Sequence, residues 1–120
     1  MTIEETADYD YWEYELMVEE LMSVLKEVDE KYYERADAHI RLSNDQITPE
    51  VGHGKVSASF MFGAARFNAH LTATSWDSQK EFSKGKDEAI KYFVSEYRKM
   101  LVEHMDDYEA NFNDYMAVKE

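Results

Sequence analysis

An all-α fold, a small helical bundle of three to four helices with a buried alanine-rich central helix, is what this sequence predicts. Three observations carry that prediction. Apolar residues recur at helical spacing along most of the chain, and no stretch shows convincing period-two alternation. Helix breakers are sparse, with Pro49 the only proline and Gly52, Gly54, Gly63 and Gly85 the only glycines. Apolar residues reach 44% and aromatic residues 14%, enough to build a core even beside 32% charged residues. A length of 120 residues fits one domain, read as an acidic helical extension over 1–29 and a core bundle over 30–115.

The first element runs up to the break at Pro49. Asp10 and Glu13 have the spacing to cap its start, and Tyr11, Tyr14, Val18, Leu21, Leu25, Val28 and Tyr32 follow at steps that alternate three and four. That average of 3.5 residues is the period of a coiled-coil seam. A single helix from residue 9 to 45 would span roughly 55 Å, so a turn near Glu27–Lys31 competes with a straight rod. The stretch from Ile47 to Gly54 reads as loop, because a proline and two glycines oppose helix there.

The segment Val56–Thr74 is apolar on nearly all sides. Phe60, Ala64, Phe67 and Leu71 share one face, Met61 and Ala65 the next, and only Ser59, Arg66 and His70 form a narrow polar stripe. Such a helix is expected to be the most buried. A break follows at Ser75–Ser78, where Ser78 and Glu81 have capping-box spacing, and Gly85 has the composition to interrupt the new helix early. The last stripe, Phe93, Tyr97, Leu101, His104, Tyr108, Phe112 and Tyr115, repeats about every 3.7 residues, an ordinary amphipathic helix.

Net charge is −13 and is polarised along the chain. Residues 1–30 hold eleven carboxylates against Lys26, residues 31–100 hold nine against eleven basic groups, and residues 101–120 hold six against Lys119. Acid at both ends repels phosphate backbones and anionic lipid, which argues against direct nucleic-acid or membrane binding. No cysteine is present, so disulfides, thiol catalysis and thiolate metal sites are excluded. No apolar run approaches the ~18–20 residues of a membrane span. The acidic opening Met1-Thr2-Ile3-Glu4-Glu5 is unlike a secretory leader, so the cytoplasm is the expected compartment.

Chemistry is scarce. No nucleophile elbow, Ser–His–carboxylate grouping or phosphate loop is legible, and the reading is non-enzymatic and without cofactor. Glu103, His104 and Asp107 are the best metal candidates, since residues three and four apart share a helix face. They lack the paired Glu-x-x-His pattern of di-metal bundles, and a hydrogen-bonded His104 is the simpler role. Ser59, Arg66 and His70 form a candidate polar recognition patch, against the plainer reading that Arg66 pairs with Asp37. Lys80, Lys84, Lys86 and Lys91 cluster at a helix start that favours anions, with Asp87 and Glu88 among them.

Three stretches point to a family. Tyr33-Glu34-Arg35-Ala36-Asp37-Ala38-His39-Ile40-Arg41-Leu42-Ser43-Asn44-Asp45-Gln46 is one. The alanine-rich run from Gly54 to Ala69 is the second and most specific, and residues 89–108 carry the third. Together, over about residues 31–112, the chain resembles an uncharacterised proteobacterial family, domain of unknown function 3144. The resemblance implies an all-helical bacterial protein and supplies no activity and no catalytic residue. Gly63 departs from the small or alanine residue expected there, and the acidic stretch before residue 30 lies outside the resemblance.

The leading functional expectation is a protein-interaction or regulatory module acting through helix surfaces. The seam Tyr11, Tyr14, Val18, Leu21, Leu25 and Val28 is its candidate interface, buried either on the chain's own bundle or in a two-fold homodimer. A small-ligand binder using Tyr92, Tyr97, Tyr108 or Trp76 is the alternative, and an acidic decoy for a nucleic-acid-binding protein a weaker one.

Overall fold

The structure, a computed structural model, describes residues 29–117. The seam residues Tyr11 through Val28 lie outside the described residues. Four helices are present among the described residues and no strand: α1 Tyr32–Gln46, α2 His53–Thr74, α3 Gln79–Ala110 and the single turn α4 Phe112–Tyr115. The fold is a small all-α bundle.

A turn at Glu30–Lys31 precedes α1, which starts at Tyr32. Asp29 organises the turn. Its carboxylate accepts the Lys31 N–H at 2.9 Å and two bonds from the Arg35 guanidinium at 3.1 and 3.2 Å, while its carbonyl accepts the Tyr32 N–H at 3.2 Å. The free amides of the first helical turn are thereby partly satisfied by a residue that spacing alone did not single out.

Between α1 and α2, Thr48 and Val51 exchange backbone hydrogen bonds of 3.1 Å in both directions, and the Thr48 hydroxyl also accepts the Val51 N–H. Helix α2 begins at His53, so Gly54 falls in its first turn rather than in the loop. The break at Ser75–Ser78 stands as predicted, and the Ser78 hydroxyl accepts the Glu81 N–H at 3.2 Å to start α3.

Helix α3 runs 32 residues, roughly 48 Å at 1.5 Å per residue, and Gly85 does not interrupt it. The glycine is there for Trp76. A Cβ at residue 85 would stand 2.9 Å from Cε2 of that indole, well inside van der Waals contact. Helix α3 ends at Asn111, whose side-chain amide donates to the Asp107 carbonyl and carboxylate, both at 3.0 Å. The Tyr115 hydroxyl reaches the same carboxylate at 3.1 and 3.2 Å, folding α4 back so that its ring meets Tyr108 at 4.9 Å.

Helix α2 packs between α1 and α3. Val56 and Thr72 on α2 and Gly85, Ala89 and Tyr92 on α3 are the buried residues of these helices. Thr72 meets its polar obligation locally, its hydroxyl donating to the Asn68 carbonyl at 2.8 Å. Along α3 the buried positions 85, 89 and 92 lie in its first half. From Met100 onward its apolar residues stand exposed.

The expectation of a buried central helix is corrected here. Phe60 is 42%, Met61 53%, Phe67 70% and Phe62 74% exposed. The cause is the number of neighbours. A helix apolar around its circumference is buried only when it is packed on every side, and among the described residues α2 has α1 and α3 alone.

Two glycines give opposite expectations. Gly85→Ala should lower stability by about 1–3 kcal/mol, since the methyl displaces an aromatic ring. Gly63→Ala, where an added Cβ meets nothing within 4 Å and φ is not positive, should raise it by roughly 0.5–1 kcal/mol. Thermal unfolding of both variants checks this; a harmless Gly85→Ala would mean that Trp76 is not seated on α3. The Asp29 turn makes a prediction about pH. Hydrogen bonds from Arg35 and then from the Lys31 N–H hold the Asp29 carboxyl below its ordinary 3.8. Its stabilising contribution is therefore present above about 3.8 and lost as pH falls through the lower folded value. The melting-point gap between the natural chain and Asp29→Asn should be open at neutral pH and close in acid; a gap constant with pH would contradict the assignment.

Candidate functional site: an apolar groove

The open packing of three helices leaves a groove of about 870 Å³. Helix α1 contributes Ile40, Ser43 and Asn44, the i, i+3, i+4 positions of one face, with Tyr32 at its start and Ile47 just past its end. Helix α2 supplies Val56, Phe60 and Ala64 in one row and Met61 beside them. Helix α3 closes the far side with Tyr92, Phe93, Tyr97 and Met100. A second cleft of about 530 Å³ lies between α1 and α2 alone and is lined by Leu42, Gly63 and Phe67 among others. Phe60 and Ala64 line both cavities. Phe60 is held from α1 by His39, ring centroids 6.2 Å apart and edge-on.

Few polar groups enter the main groove: Ser43, Asn44, His53, Ser57, Asn68 and Glu96. Glu96 is drawn to Lys99 on its own helix at 3.4 Å. Burial pushes the Tyr92 hydroxyl above its usual range, with the charge of Glu96 adding to the effect, so the ring is a neutral wall at physiological pH. Among the described residues no three His, Asp or Glu side chains gather as a metal set.

The residues singled out from the sequence are placed unevenly. Tyr92 and Tyr97 line the groove, whereas Trp76 sits against Gly85 and Tyr108 against Tyr115. Glu103, His104 and Asp107 lie on the exposed second half of α3, and Asp107 is engaged by Asn111 and Tyr115. That contact raises the Tyr115 pKa above its ordinary value, because the phenol proton is held by the carboxylate. Ser59 lines the second cleft with its hydroxyl donating to the Lys55 and Val56 carbonyls at 3.1 Å. Arg66 and His70 are exposed on the same helix and line neither cavity. No ion pair joins Arg66 to Asp37 among the described residues. Lys91 pairs with Glu88 at 3.4 Å.

Sequence reasoning did not single out Ile47, Asn44 or Glu96 as site residues. Periodicity identifies which face of a helix is apolar, but the groove straddles three helices and its lining depends on how far apart they stand. No helix of the described residues is long and apolar enough to cross a membrane. No curated protein and no solved structure matches the chain. A family match covers residues 32–109, from the first residue of α1 to the last turn of α3. Helices α1, α2 and nearly all of α3 therefore lie within the matched span, and this chain belongs to the family described as Protein of unknown function (DUF3144).

Proposed function

We propose that this chain is a non-enzymatic interaction module whose working surface is the α1–α2–α3 groove, and that the groove receives an amphipathic helix. The observation that carries the reading is the exposure of Phe60 and Met61, 42% and 53%, inside a trough walled by apolar side chains from three helices. Contiguous apolar surface of this kind marks interaction sites, and a helical apolar face laid into a hydrophobic groove is a recurring mode of recognition. A small ligand fits less well, because such sites combine deep enclosure with a few convergent polar groups. Here the trough is open and its one carboxylate, Glu96, turns to Lys99.

The test compares affinity purification of the tagged full chain with two variants of equal chemistry. Met61→Glu places a charge in the groove, and Met105→Glu places one on α3 outside it, where the methionine is 62% exposed. Both positions are exposed enough for circular dichroism to report unchanged helix content. The groove reading expects a defined partner protein that Met61→Glu loses and Met105→Glu keeps. Retention of the same partners by both variants overturns it.

A further inference from the structure

We propose that this chain pairs with a second copy of itself through two helix faces that lie outside the groove. One is the outer face of α2, which is apolar and basic. The other is the end of α3, which is apolar and acidic. Each copy lays the end of its α3 across the α2 of the other.

Helical spacing sets the outer face of α2. Lys55, Phe62, Arg66, Ala69 and Ala73 follow at steps of seven, four, three and four, and all are exposed. None of them lines the groove or the second cleft. Phe62, at 74%, is the most exposed large apolar side chain among the described residues. Over its 22 residues α2 contains no Asp or Glu. Lys55 and Arg66 thus have no carboxylate on their own helix, and neither joins an ion pair among the described residues.

The end of α3 has the opposite character. Helix α3 has 32 residues against the 22 of α2, a difference of roughly 15 Å at 1.5 Å per residue, and nothing beyond Met100 lines either cavity. Residues 101–110 hold Glu103, Asp106, Asp107 and Glu109 and no Lys or Arg. Asn111 and Tyr115 engage Asp107, whereas Glu103, Asp106 and Glu109 join no ion pair among the described residues. Met105 is 62% exposed, one turn from both Leu101 and Glu109 and next to Asp106, so apolar and acidic groups share this face.

Charge selects the arrangement. The net charge of −13 opposes self-association, but at physiological ionic strength exposed charges are screened beyond about 8 Å, so the groups inside the contact decide. Pairing α2 with α2, or one α3 end with the other, sets like charge against like. Crossing the two faces sets cations that lack carboxylates against carboxylates that lack cations. Two-fold symmetry then makes the contact twice, because a residue meeting its counterpart in one copy is met by it in the other. Exposed ion pairs add little affinity each; they fix which faces meet, while Phe62 and Met105 supply apolar contact.

A charge exchange on the full chain, read as mass by light scattering, tests this. The natural chain should have the mass of two chains. Lys55→Glu with Arg66→Glu, and separately Asp106→Lys with Glu109→Arg, should each give single chains. Mixed in equal amounts, the two double variants should regain the mass of a pair, since each then meets its opposite. All four positions are exposed, so circular dichroism should show unchanged helix content. A natural chain that stays single at high micromolar concentration overturns the proposal. So does a pair that survives both exchanges, or a mixture that stays single. Met105→Glu should dissolve the pair and Met61→Glu should leave it intact; a pair dissolved by Met61→Glu would be held through the groove and also overturns the proposal. The groove reading is tested separately, by partner loss in Met61→Glu.

Discussion

Helix α2 is apolar around almost its whole circumference, and two neighbours cannot cover three sides of a cylinder. Most of what distinguishes this structure follows from that constraint. Helices α1 and α3 each take one sector of α2, and the remaining sector becomes the floor of the groove. The uncovered residues are large: Phe60, Met61 and Phe67 are all exposed, and each buried Phe or Met side chain is worth about 1.5–3 kcal/mol relative to leaving it in water. A surface of that kind is an incentive to bind.

The contact between α2 and α3 involves few residues. Thr72 on α2 and Ala89 and Tyr92 on α3 are buried, and Trp76 covers Gly85. Packing of this sort fixes position with few residues and leaves large apolar side chains exposed in the second half of α3. Leu101, Val102 and Met105 there are 39%, 46% and 62% exposed. At the far end, Asn111 and Tyr115 converge on Asp107 and turn the chain back, so this carboxylate organises the helix end.

Much of this was legible from local signals. The Ser78–Glu81 cap, the break at Ser75–Ser78 and the loop after Ile47 were all written in residues whose effects are confined to one turn of chain. The seating of Trp76 on Gly85 was not, because a glycine that admits a ring looks in sequence like a glycine that breaks a helix. Nor was the exposure of α2: an all-round apolar pattern states that neighbours are needed without counting them. The groove suffered the same limit. Tyr92 and Tyr97 were found because aromatics draw notice, whereas Ile47 and Asn44 acquire meaning only once α1 has been laid across α2. Ser59, Arg66 and His70 share α2 by helical spacing, and of the three Ser59 lines the second cleft.

The account therefore turns on whether the groove is covered in solution by something beyond α1, α2 and α3. Methionine oxidation of the full chain together with the partner it captures, followed residue by residue with mass spectrometry, reads this directly. Met61 in the groove and Met116 outside it are 53% and 55% exposed in the described structure, so geometry alone gives them similar rates. A covered groove predicts that Met61 and Met100 oxidise markedly more slowly than Met116. Equal rates for Met61 and Met116 would contradict it, leaving an apolar trough that stays open to water.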